Sequence, residues 1–282
     1  MKKVNNRIIK GVLCLVTLST MLIGQNNILT KGYAQDTYSE VAGESHTGSF
    51  SVDSLTLQPG ATTTSINLNW YAPAGTTVAK IQFGDQTYDV TAKPLTSPTE
   101  IKSDKYTDTG KLVCKTTISN LKPDTKYTYY ISNDGGTTWS KEYNYTTPSS
   151  NEFTFGFTSD PQIKENKEIN SEGWNPSDET NQTGWATMME TLEKQGVDLV
   201  VSAGDQVEDQ NWGKSSEYEA FFAPEEMTSI PYAPAVGNHD RHYMFADHFN
   251  LPNQMESLTE VKTTFRGQNS GTSQSHGNYI QA

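Results

Sequence analysis

Three polar clusters in the second half of the chain contain the residue types that could do chemistry. They are Ser159-Asp160-Pro161-Gln162, Gly204-Asp205-Gln206 and Gly237-Asn238-His239-Asp240. Each follows a short apolar run: Phe153 to Thr158, Val197 to Ala203, and Ile230 to Val236. Runs of that length bounded by turn residues read as buried strands. The intervals from Asp160 to Asp205 and from Asp205 to Asn238 are 45 and 33 residues, long enough for a helical crossover each time. Parallel strands would then bring the three clusters to one rim, the carboxyl edge where α/β sheets bind ligands. Two carboxylates converging there without a cationic partner repel, so one must protonate or a cation must lie between them. Asp160 and Asp205 supply such a pair, Asn238 adds a neutral oxygen, and His239 can bind metal or move a proton. Two metals about 3.5–4 Å apart can clamp a phosphate and acidify a bridging water, and the resulting hydroxide attacks phosphorus in line. His239 is placed to serve the leaving alkoxide.

The intervening segments must position these clusters. Gly184 to Gln195 sets Trp185, Met188, Met189 and Leu192 at helical spacing, with Gly196 where a helix would stop. Residues 212–223 read as a second helix, with Tyr218, Phe221 and Phe222 on one side. Residues 164–182 are polar and turn-rich and read as a surface insertion. The order is β-α-β-α-β, an α/β layer. Upstream, residues 51–148 have a β texture. Ser65 to Trp70 alternates polar and apolar at period two, and Lys80 to Phe83 and Leu112 to Ile118 behave similarly. The run Leu121-Lys122-Pro123-Asp124-Thr125-Lys126-Tyr127 carries a turn into a strand, with Tyr127 placed to bond back across the corner. Trp70 and Tyr127 are expected in the core of an antiparallel sandwich.

This segment resembles a fibronectin type III domain. The clusters after it resemble the calcineurin-like metallophosphoesterase superfamily, whose signature runs Asp-x-His, Gly-Asp, Gly-Asn-His-Asp/Glu and later His-bearing motifs. A sandwich directly before such a domain resembles the purple acid phosphatases. The fold implied is an all-β sandwich followed by an α/β metallophosphoesterase domain. The resemblance implies that Asp160 binds the first of two metal ions, Asp205 bridges both, Asn238 binds the second, and His239 assists the leaving group. The metals would be iron, manganese, zinc or magnesium. The implied activity is that of an acid phosphatase-like phosphomonoesterase, with a phosphate ester as substrate and a metal-bridging hydroxide as nucleophile.

The chain departs from the family pattern at three places. Gln162 stands where many members carry a His ligand, and either binds through its oxygen or holds the loop. Glu208 stands where purple acid phosphatases carry a metal-binding Tyr; it could itself face the metals, but reads more readily as an exposed acid. The later Gly-His and Gly-His-x-His motifs are missing before Ala282. His242 and His248 read as surface or loop histidines, and His276 fits neither motif. Residues 151–282 are thus expected to be the front part of a catalytic domain, leaving an unpaired sheet edge and a poorly active chain. Trp174, Trp212 and Tyr243 could stack on an aryl or base group, but core packing or surface scatter is the better default for each. The competing reading is a non-catalytic surface binding module carrying a degenerate phosphoesterase half-domain.

Composition and the amino terminus bound the setting. The 282 residues carry 33 acidic and 21 basic side chains, a net charge of -12 that argues against a stable nucleic-acid partner. Lys2, Lys3, Arg7 and Lys10 precede an apolar stretch from Val12 to Ile23, too short to span a bilayer comfortably. Gly32-Tyr33-Ala34 follows, and residues 1–34 read as a secretory signal peptide cut after Ala34. Residues 35–50 read as a linker. The mature chain would be secreted or at the cell surface, with no membrane anchor. It would retain Cys114 alone, so no internal disulfide could form, which fits bacterial export.

Overall fold

The computed structural model describes residues 10–11, 39–98, 106–149, 152–164, 178–208, 215–240, 245 and 247–252. Its strands run in chain order as β1 (Lys10–Gly11), β2 (Ser39–Val41), β3 (Asp53–Pro59), β4 (Ile66–Pro73), β5 (Ala79–Phe83), β6 (Gln86–Val90) and β7 (Ala92–Pro98). There follow β8 (Tyr106–Ile118), β9 (Thr125–Ser132), β10 (Tyr143–Thr146) and β11 (Thr154–Thr158). Helix α1 (Asp178–Lys194), β12 (Leu199–Ser202), helix α2 (Ser215–Phe221), a 3-10 turn (Glu225–Thr228) and β13 (Tyr232–Ala233) complete the series. No helix among the described residues is long and apolar enough to cross a membrane.

The first half is a sandwich of two sheets, β3-β4-β8-β7 and β10-β9-β5-β6, with β2 added along the first part of β9. Alternation in β4 drives Ile66, Leu68 and Trp70 inward, where they meet Ile81, Phe83, Tyr129 and Ile131 of the facing sheet. The Trp70 indole N–H donates to Asn133 Oδ1 at 3.1 Å, so the buried ring keeps its hydrogen bond. Tyr127 is buried and its hydroxyl accepts the Lys122 N–H at 2.8 Å, closing the corner expected from the sequence. Cys114 lies on the same core face, where burial pushes its thiol up to about 12.

The second half is a parallel sheet in the order β1-β11-β12-β13. Gly156 of β11 lets α1 lie close, because a β-carbon there would come within 2.9 Å of Leu192 Cδ2. Trp185, Met189 and Leu192 are buried against the sheet. The helix begins at Asp178, inside the segment read as a surface insertion. It stops at Gly196, whose φ of 65° closes the last turn while the Val197 N–H donates to Leu192 O at 3.3 Å. The third strand is only two residues long, shorter than Ile230 to Val236. Pro231 and Pro234 have no N–H to donate, yet Val200 N–H still reaches Pro231 O and Ala235 N–H reaches Ser202 O. On the other edge, β1 pairs with β11 although it lies within the stretch read as a leader. Cleavage after Ala34 would remove that partner.

The polar face of β4 is covered by the second half of the chain. Asn67, Asn69 and Tyr71 are all buried, and Tyr71, Leu95 and Val113 join one apolar cluster with Tyr218, Phe221, Phe222, Phe245 and Phe249. His248 corrects the expectation of a surface histidine. It is fully buried, its Nδ1 lies 2.5 Å from the Tyr71 hydroxyl, and its ring stacks on Tyr218 at 3.8 Å. Burial holds it neutral, well below the ordinary histidine range.

Candidate metal centre

The site is built where β11, β12 and β13 end. Beyond Thr158 and Ser202 the first two chain segments stay side by side. The Asp160 N–H donates to Gly204 O at 3.1 Å, Gln162 N–H to Asp205 O at 3.0 Å, and Ile163 N–H to Gln206 O at 3.0 Å. Three non-glycine residues on these tips are left-handed: Asp160 at φ 55°, Gln162 at 45° and Asp205 at 54°. Such conformations cost of order 1–3 kcal/mol each and gather at functional sites, where the surrounding bonds enforce them. Asp160 is exposed, and its carboxylate accepts from the Ser159 hydroxyl. Asp205 is buried.

The third tip is locked to the second. His239 N–H donates to Asp205 Oδ1 at 2.7 Å. Gly204 and Gly237 lie back to back: a β-carbon on Gly237 would come within 2.0 Å of Asp205 Oδ1 and 2.2 Å of its nitrogen. Only a residue without a side chain allows that approach. The Asp240 carboxylate accepts the N–H groups of Asp205 at 3.0 Å, Gln206 at 3.0 Å and Gly237 at 2.9 Å. Burial, with the Asp205 charge nearby, pushes its carboxyl up to about 6, against the pull of the Gly237 and Gln206 N–H groups.

Around His239 the structure corrects a second expectation. Glu208 is half-buried, not an exposed acid. Its backbone carbonyl faces His239 Nδ1, and its carboxylate lies 3.9 Å from that nitrogen and 3.5 Å from Lys164 Nζ. A carbonyl oxygen only accepts, so Nδ1 carries the hydrogen in that contact. Asn238 is exposed beside it.

The five sequence-predicted residues therefore sit on three adjoining tips tied by backbone bonds. Asp160, Gln162, Asp205 and Asn238 offer hard oxygen donors, the set that suits divalent cations, and they fit the oxygen-rich part of a metal centre. Among the described residues, no three His, Cys, Asp or Glu side chains are gathered tightly enough to hold a metal by themselves. Asp240 and Lys164 were not anticipated as parts of the site. Asp240 closes the Gly-Asn-His-Asp motif and could have been found there, whereas nothing in the sequence marks Lys164. Trp174, Trp212, Tyr243, His242 and His276 lie outside the described residues.

Known proteins show the same two-part organisation. Residues 52–147 match the purple acid phosphatase N-terminal domain, and residues 153–277 match the calcineurin-like phosphoesterase family. The chain is thus similar in its two parts to the purple acid phosphatases and the calcineurin-like phosphoesterases, families that imply a dinuclear metal centre. A purple acid phosphatase from yellow lupin (Lupinus luteus) seeds has a similar fold, with TM-score 0.54 and 18% identity over 72% of this chain and 41% of that one. This chain thus spans well under half the length of the lupin chain. A maltogenic amylase from S. marinus, at TM-score 0.20 and 12% identity over 53% of this chain and 24% of that one, is too dissimilar to bear on the fold. No curated protein matches the chain.

Proposed function

We propose that the chain is a secreted, metal-dependent phosphoric ester hydrolase of acid phosphatase type. Asp160, Gln162, Asp205 and Asn238 would hold two cations of iron, manganese, zinc or magnesium. The observation that carries this reading is the locking of Asp205 between the other two tips, its carbonyl bonded to Gln162 and its carboxylate to His239. Bound cations supply positive charge for the phosphate and acidify water near neutral pH. The protein's own residues do the rest. The exposed Asn238 amide would orient the ester from the third tip. His239 would serve the leaving oxygen through Nε2, while the Glu208 carbonyl and nearby carboxylate hold the Nδ1 side of the ring. The net acidic chain adds no strong positive field of its own, in keeping with metals as the charge that recruits an anionic substrate.

Hydrolysis of p-nitrophenyl phosphate by chelator-stripped protein, before and after addition of Mn2+, tests the proposal. Activity should appear only with metal and fall by at least about 100-fold in Asp205→Ala. A stable chain that stays inactive with each of the four metals would favour the binding-module reading.

A further inference from the structure

Asp240 is not among the proposed metal ligands, yet its carboxylate ties two of the three loops together. Its two oxygens take three backbone N–H groups from two separate loops. Oδ2 bonds Asp205 and Gly237, and Oδ1 bonds Gln206. The side chain is 2% exposed, and the Tyr218 hydroxyl closes it from behind at 3.5 Å from Oδ1. A turn of left-handed backbone at Asp205 and a close Gly204–Gly237 contact cannot persist without such enforcement, because each conformation is costly alone. Fixed acceptors also pair the backbone N–H groups of Asp205, Gln206 and Gly237.

We infer that Asp240 is a positioning residue: its carboxylate clamps the Gly204-Asp205-Gln206 turn to the Gly237-Asn238-His239 turn and so sets the spacing of the metal-binding oxygens. The inference rests on the reading of these turns as a metal centre. It also has a consequence in the metal-free protein, where the three N–H groups depend on the same carboxylate. Groups that orient ligands from outside the coordination shell are worth about 10–100-fold in metal affinity.

Asp240→Asn keeps the volume but sets an amide donor against a backbone donor. Asp240→Glu keeps both acceptor oxygens. Two measurements on the full chain decide the matter: amide hydrogen exchange at Asp205, Gln206 and Gly237 without metal, and calorimetric titration with Mn2+ alone. The clamp predicts faster exchange at those three amides in Asp240→Asn while sandwich amides are unchanged, and Mn2+ binding weaker by about 10–100-fold. Asp240→Glu should recover most of both. Unchanged exchange at the three amides in Asp240→Asn would overturn the proposal, and so would undiminished Mn2+ binding. A general loss of protection, sandwich amides included, would reduce Asp240 to a folding residue and also overturn it. Wild-type chain that binds Mn2+ but does not hydrolyse ester would overturn the proposed function and leave the clamp standing. If the wild-type chain binds no Mn2+, the metal-spacing role is overturned as well.

Discussion

Gly237 shows how narrowly the site is specified at the scale of single residues. A methyl group there would overlap the Asp205 carboxylate and nitrogen, and both belong to a turn already held by Asp240 and His239. Gly237→Ala is expected to cost about 1–3 kcal/mol in a urea denaturation series, the usual penalty of overpacking, and to weaken Mn2+ binding in parallel. Gly237→Ala with unchanged stability and unchanged Mn2+ affinity would show that the contact between the two turns is loose. The placement of Asp160, Asp205, Asn238 and His239 on neighbouring strand ends was legible in the sequence because their motifs follow apolar runs at crossover spacing. Glu208 was misread because an acid in a loop is exposed by default, and its contact with His239 depends on how two loops 31 residues apart meet. His248 was misread for a related reason. Its partners Tyr71 and Tyr218 come from different halves of the chain, so local pattern carries no trace of them.

At the scale of elements, periodicity found α1 and its stop at Gly196 but placed the start too late. The first turns are polar in sequence, so no apolar stripe marks them. The third strand was read too long for the opposite reason: Ile230 to Val236 is apolar, but two prolines interrupt its ladder. The functional load on α1 is to press against β11 and so hold the base of the Asp160 loop. Leu192 fills the space over Gly156 and is buried. Leu192→Ala is expected to lower stability by about 2–5 kcal/mol through transfer and cavity costs, measured by urea denaturation. A loss below about 1 kcal/mol would mean that the helix settles onto the strand without it.

For the molecule as a whole, the sandwich is bonded to the phosphoesterase half and shares a core with it. Asn250 reaches across to the carbonyls of Leu68 at 3.2 Å and Thr116 at 2.7 Å, and its own N–H donates to Gln58 Oε1 at 3.1 Å. Asn250→Ala should cost about 1–3 kcal/mol by leaving buried acceptors unpaired. Lys115 spans the same junction, its Nζ donating to Phe249 O at 2.8 Å. Burial, with Lys93 adding to it and Asp247 opposing, lowers its amine to about 8 from 10.5. The native chain therefore binds fewer protons there than the unfolded chain between about pH 8 and 10.5, and the contribution of Lys115 to stability rises with pH across that window. Relative to Lys115→Met, the wild-type urea midpoint should climb from pH 8 to pH 10, and parallel curves would refute the shift. The sequence showed both halves but not their shared core, because the polar side of β4 looked like a solvent face until the second half covered it. The account depends most on cations bound between the three loop tips, and anomalous diffraction from crystals soaked in Mn2+ measures that directly. It predicts two peaks within coordination distance of Asp160, Asp205 and Asn238 oxygens. Peaks confined to other carboxylates, or none at well-ordered tips, would contradict it.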